Sequence, residues 1–220
     1  MKELASKTWK PTMEYIRQCH LSNLENQDVD IAAWTFAFEQ FTIAVHEEKS
    51  INPNFAPELS MLNQDTECEY DFADILEEYF DFLEDHEQWD EIIASCDELL
   101  DMFEWEEAYP SEYMFRKGDA LESAGRFNEA LSFGQQWLAD YPDDYYAAAS
   151  NVFLLISLQR YEEAEALTER YLKEELICDK RTDTFFMAAY RLYEITENAY
   201  AKKRVEKKIA AYNTLAPLID

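Results

Sequence analysis

The sequence predicts an all-α chain of stacked antiparallel helix pairs, an α-solenoid preceded by an N-terminal helical hairpin. Three observations predict it. Apolar residues recur at helical spacing, as in Phe72, Ile75, Leu76, Tyr79, Phe80 and Leu83. Only three glycines occur among 220 residues, which excludes phosphate-cradling loops and dinucleotide fingerprints and disfavours turn-rich all-β architectures. One stretch also repeats itself. Phe127 and Tyr161, Ala130 and Ala164, and Leu138 and Leu172 are each 34 residues apart.

The elements follow in order. Pro11 to Asn26 reads as a helix with proline in its first turn. A longer helix runs from about Asp28 to Glu48, with Asp28 or Asp30 available as its cap and Ile31, Trp34, Phe38 and Phe41 on its apolar face. Ser50 to Ser60, with Pro53 and Pro57, is the linker candidate, so residues 1–60 form the hairpin and linker and 61–220 the repeat region. The repeats span about 73–106, 111–144 and 145–178, with an irregular fourth at 184–217. Within each, a helix is followed by a short polar turn and an aromatic that opens the second helix: Trp89, Phe127 and Tyr161. Three residues later stands Ala130 or Ala164, or Ile92 in the weak first copy. A small residue there lets two helices approach closely, with the aromatic packing across the pair. Trp89 lies 38 residues before Phe127, so an insertion falls around Glu104 to Pro110. The fourth repeat takes Ala189, Leu192, Tyr193, Ile209, Tyr212 and Pro217, and its second helix carries Lys202, Lys203, Arg204, Lys207 and Lys208. A polar cap suits a solenoid end, which must face water.

On these residues the chain resembles tetratricopeptide repeat proteins. The unit from Ser111 to Asp144 carries the family's small first-helix residue as Gly118, its second-helix alanine as Ala130 and its terminating proline as Pro142. It departs from the pattern at Gly134, where the family prefers an aromatic, and the next unit has Val152 at the small position. The unit before it has Phe80 and Ile92 at the two small positions. The resemblance implies a right-handed superhelix whose concave groove, lined by the first helix of each unit, binds a protein ligand. Transferred residue by residue, the groove places fall on Asp74, Glu77, Asp81, Glu84 and Asp85 in the first unit. They fall on Glu112, Phe115, Asp119, Glu122 and Ser123 in the second, and on Tyr146, Ala149, Phe153, Ile156 and Ser157 in the third.

Charge sharpens that implication. No lysine or arginine occurs between Lys49 and Arg116, and the 66 residues from Ser50 to Phe115 hold 21 Asp and Glu of a chain whose net charge is −28. With 48% apolar and 15% aromatic residues the chain is nonetheless predicted to fold. Asp74, Glu77, Asp81, Glu84 and Asp85 share one helical face, where like charges at such spacing cost a few tenths of a kcal/mol per pair. A concave wall of one sign would steer a basic segment inward, and Tyr146, Phe153 and Ile156 would hold an apolar anchor beside it. An acidic run on an amphipathic helix is equally what a plain solvated face looks like, and that alternative stays open. Tetratricopeptide co-chaperones that grip a C-terminal carboxylate need Lys, Arg and Asn on this face, so acidic chaperone tails are not the expected ligand.

The expected function is therefore a non-catalytic scaffold or adaptor that captures a basic peptide or domain. The alternative is an acidic nucleic-acid mimic that blocks a basic DNA- or RNA-binding protein. A further possibility is head-to-tail self-association, with the Lys202 to Lys208 helix docking into another copy's acidic groove. Direct nucleic-acid binding is disfavoured by charge. No signal-peptide-like or membrane-spanning run occurs, and the scattered Cys19, Cys68, Cys96 and Cys178 read as reduced thiols, so a cytoplasmic location is expected. No cofactor, metal or catalytic residue is expected. His46 and His86 lack the second histidine of a zinc-protease helix, and His86 reads as an exposed turn residue. Cys19-His20 reads as structural. Asp65-Thr66-Glu67-Cys68-Glu69 lacks the mid-loop glycine of a calcium loop.

Overall fold

Among the described residues the apolar periodicity is realised as helices. The structure, a computed structural model, describes residues 31–63, 71–105 and 110–215. The expected Pro11–Asn26 helix, the Asp28 or Asp30 cap, Cys19, His20, Cys68, Pro217 and the Asp65–Glu69 segment lie outside the described residues. Among the described residues the elements are helical, with no strand. The chain divides into two compact units, Met1–Ala108 and Tyr109–Asp220.

In the first unit, α1 (Ile31–Ile51) lies against the pair α2 (Phe72–Asp85) and α3 (Trp89–Met102). Aromatic contacts set its direction. Trp34 packs on Tyr79 and Phe82, Phe38 stacks on Tyr79 at 4.9 Å, and Phe41 meets Phe72. As α1 advances, its partners on α2 recede, so the two helices are antiparallel and α1 runs with α3. That is how the second helix of a preceding pair would sit. Lys49 fastens the end of α1 to the end of α3 by donating to the Met102 carbonyl and lying over the Phe103 ring. The 50–60 stretch is not bare linker. Phe55 and Ala56 are buried, the Glu104 amide donates to the Pro57 carbonyl, and Leu59–Met61 form one 3₁₀ turn.

The second unit comprises α4 (Ser111–Ser123), α5 (Phe127–Asp140), α6 (Tyr145–Ser157), α7 (Tyr161–Tyr171), α8 (Asp183–Ile195) and α9 (Ala199–Leu215). The first helices α4, α6 and α8 pack side by side as one layer, and each second helix packs behind its own pair. Neither layer buries its apolar face alone, so stacking completes the core. Val152, Leu155, Ala164, Phe185, Phe186, Ala189 and Tyr193 form its centre. Gly118 explains how closely α4 and α6 approach: a Cβ there would stand 3.0 Å from the Ser150 hydroxyl. Two expectations change. Phe127 is 41% exposed rather than packed across its pair, and Ala149 is fully buried in the core rather than lining the groove. Ala149 is enclosed because α6 is flanked by first helices on both sides.

The turn inside every pair is built alike. Glu87, Gly125, Gln159 and Glu197 all have left-handed backbone, at φ 54°, 72°, 57° and 56°. The following residues, Gln88, Arg126, Arg160 and Asn198, each donate an amide to a carbonyl five residues back, at 2.8–3.0 Å. These bonds close Schellman motifs on four helix ends. Only one of the four uses glycine, although a non-glycine residue pays roughly 1 kcal/mol for this conformation. Gly125→Ala is accordingly expected to destabilise by about 1 kcal/mol. No atom lies within 4 Å of the added methyl, so the loss is backbone strain alone. Gln159→Gly should stabilise by a few tenths of a kcal/mol, strain relief being partly offset by the freer unfolded chain. Urea midpoints of the two variants check both signs.

Candidate partner-binding groove

The layer of first helices presents an open groove of about 610 Å³ within the second unit. Phe115, Gly118, Asp119 and Glu122 come from α4. Ser150, Asn151, Phe153, Leu154, Ile156 and Ser157 come from α6, and Met187, Tyr190, Arg191 and Glu194 from α8. These residues recur at three- and four-residue steps because one face of each helix looks into the groove. Ala130 and Gly134 of α5 reach the floor from behind. They do so because one is short and the other has no side chain.

The floor is largely apolar, and its most open member, Met187, is 53% exposed. The walls differ electrically. On α4, the Asp119 and Glu122 carboxylates have no ion-pair partner among the described residues. Asp119 is open to solvent at its surface yet hemmed in by the groove walls. That desolvation, followed by the neighbouring Glu122 charge, holds its carboxyl above the usual carboxylate range. On α8, Glu194 is neutralised by Lys202 at 3.0 Å and Arg191 at 3.2 Å. Those hydrogen bonds, that of Lys202 foremost, hold it below the usual range. The groove is therefore polarised, with bare anions on one wall and paired charges on the other.

Among the expected site residues, Phe115, Asp119, Glu122, Phe153 and Ile156 meet in this groove. Tyr146 stands beside it, edge-on to Phe115 at 6.3 Å. Glu112 lies 3.7 Å from Arg116 and is not on the groove lining. Asp74, Glu77, Asp81 and Asp85 form a solvent-exposed stripe on α2 of the first unit, with Glu84 half-buried beside them. The α8 wall was missed. Its helix starts 38 positions after that of α6, at Asp183 against Tyr145, whereas Ser111 and Tyr145 are 34 apart. Shifting the register by the four residues inserted in the 173–183 stretch places Met187, Arg191 and Glu194 opposite Ala149, Phe153 and Ile156. Asn151 was missed too, although a lone amide in the apolar run of α6 was a visible signal.

The basic helix α9 is partly committed inside the unit. Lys202 pairs with Glu194 and lies over the Tyr190 ring at 4.6 Å. Lys208 donates to the Glu174 and Leu176 carbonyls and ties down the loop before α8. Elsewhere, His46 contacts Glu98 at 2.7 Å, and exposed His86 closes α2 with its Nδ1 2.7 Å from the Phe82 carbonyl oxygen. Cys96 and Cys178 are buried, and burial beside Asp183 and Asp179 pushes the Cys178 thiol up to about 11. Among the described residues no His, Cys, Asp and Glu cluster could hold a metal ion, and no helix is long and apolar enough to cross a membrane.

Residues 121–176 match the tetratricopeptide repeat family. No curated protein matches the chain. The matched segment begins late in α4 and ends after α7, so it covers the helices between which Gly134 and Asn151 meet. Repeats of this family generally serve as surfaces for protein–protein interaction and are typically non-catalytic. Four similar turns and layered first and second helices make the chain an all-helical repeat protein, and over residues 121–176 it is similar to tetratricopeptide repeats.

Proposed function

We propose that the protein is a non-catalytic scaffold whose second-unit groove binds a basic, partly apolar segment of another protein. One observation carries this reading: the Asp119 and Glu122 carboxylates stand unneutralised above an accessible floor that includes Phe115, Phe153, Ile156 and Met187. A cation is attracted to the α4 wall, where screening is weaker than at an open surface. The apolar floor then rewards burial of a neighbouring leucine or phenylalanine at about 25 cal/mol per Å².

Fluorescence anisotropy with labelled peptides tests this. A peptide carrying two lysines beside a leucine should bind, and its affinity should fall roughly tenfold as salt rises from about 50 to 300 mM. The same peptide with glutamates for lysines should not bind. Equal binding of the two would refute the charge-based reading. Displacement of a native partner by duplex DNA would favour the nucleic-acid mimic instead.

A further inference from the structure

The groove floor holds a polar feature that capture of a basic segment by charge does not require. Asn151 is only 2% exposed, and both hydrogens of its side-chain amide are used. Nδ2 donates to the Gly134 carbonyl at 2.9 Å and to the Ala147 carbonyl at 2.8 Å. Because both partners are acceptors, the amide cannot be turned round: its oxygen would then face two carbonyl oxygens. Oδ1 therefore looks away from them and accepts no hydrogen bond among the described residues. It lies over the face of Gly134 where a side chain would stand, since a Cβ built there would be 2.6 Å from it. Gly134 thus fits its place for a reason. The Asn151 amide takes the space that the expected aromatic would fill, and both residues line the groove floor. Gly118 and Ala130 keep the same floor clear of bulky side chains, while Asp119 and Glu122 line the groove above.

We infer that this part of the groove floor is a specificity site for one long cationic side chain of the partner, whose terminal N–H donates to Asn151 Oδ1 while Asp119 and Glu122 balance its charge. The inference rests on the groove reading above and deepens it. An acceptor on the groove floor with no donor from the chain selects for a donor-terminated side chain, because a purely apolar one would cover it and leave it unpaired. Carboxylates on the α4 wall make a cation preferable to a neutral amide.

The test uses the full chain and a labelled nonapeptide with two fixed flanking lysines and a central residue that is arginine, citrulline or norleucine. Citrulline keeps the terminal N–H donors without the charge, and norleucine has neither. Arginine should bind best, and citrulline roughly five- to tenfold better than norleucine. In Asn151→Leu the citrulline advantage should vanish, while salt-dependent binding through the flanking lysines persists. Should Asn151→Leu fail to fold by circular dichroism, the wild-type peptide series still decides. Citrulline binding no better than norleucine overturns the specificity site and leaves the basic groove standing. No binding by any of the three peptides overturns both.

Discussion

Asp144→Ala is expected to destabilise the second unit by about 3 kcal/mol. The side chain is 3% exposed and serves three donors. It accepts the Tyr146 amide at 2.9 Å as N-cap of α6, the Trp137 indole N–H at 2.9 Å, and the Ser111 hydroxyl at 2.8 Å. One carboxylate therefore joins the starts of α4 and α6 to the end of α5. Removing it forfeits a helix cap worth about 1 kcal/mol. It also strands the N–H of a fully buried tryptophan, at about 1–3 kcal/mol. Asp144→Asn keeps a single acceptor for three donors and should fall between. Thermal unfolding of the full chain should drop by roughly 6–12 °C for the alanine variant. A shift below about 2 °C would show that water replaces the carboxylate freely.

Reversing the α4 wall with Asp119→Lys and Glu122→Lys is expected to weaken binding of the lysine–leucine peptide by at least ~30-fold at low salt and to flatten its salt dependence. Both side chains reach solvent, so the melting temperature should move little, which separates a binding effect from unfolding. Glu77→Lys, Asp81→Lys and Glu84→Lys together provide the comparison. If they weaken binding as much, the α2 stripe shares the partner; if they do nothing, it is a solvated face. pH supplies an independent check. Asp119 is held above the ordinary carboxylate range by desolvation and then by Glu122, so it takes up a proton at a higher pH than an ordinary carboxylate would. A protonated Asp119 no longer attracts a cation. Affinity should therefore decline on acidification from a higher pH than in Asp119→Asn, which has no such proton to gain. For folding the sign is opposite: the ionised carboxylate is the unfavourable form here, and protonation relieves it.

Several parts of this arrangement were legible in advance because they depend on local chemistry. The 34-residue echo of Phe127, Ala130 and Leu138 in Tyr161, Ala164 and Leu172 marked α5 and α7. Helical spacing of apolar residues marked their partners as helices too. Phe115, Asp119, Glu122, Phe153 and Ile156 reached one groove because the family's groove register, carried over residue by residue, falls on one face of α4 and α6. Ala149 followed the same register but went into the core, since its burial depends on neighbours to either side. Phe127 stayed 41% exposed for a related reason: an aromatic that opens a helix packs only if the adjoining helix reaches it.

What the sequence by itself determined is the all-helical repeat plan, the sign of the charge and the facing of the first helices. The first two follow from residue type and spacing, and the third from the family's groove register carried onto the chain. Tertiary structure alone decided which charges remain free. Lys202 and Arg191 neutralise Glu194, and Lys208 is spent on loop carbonyls, whereas Asp119 and Glu122 keep theirs. It alone also showed that Gly134 makes room for the Asn151 amide and leaves that oxygen without a donor. Pairing of charges and satisfaction of buried polar atoms are three-dimensional sums over residues far apart in the chain, and no periodicity encodes them.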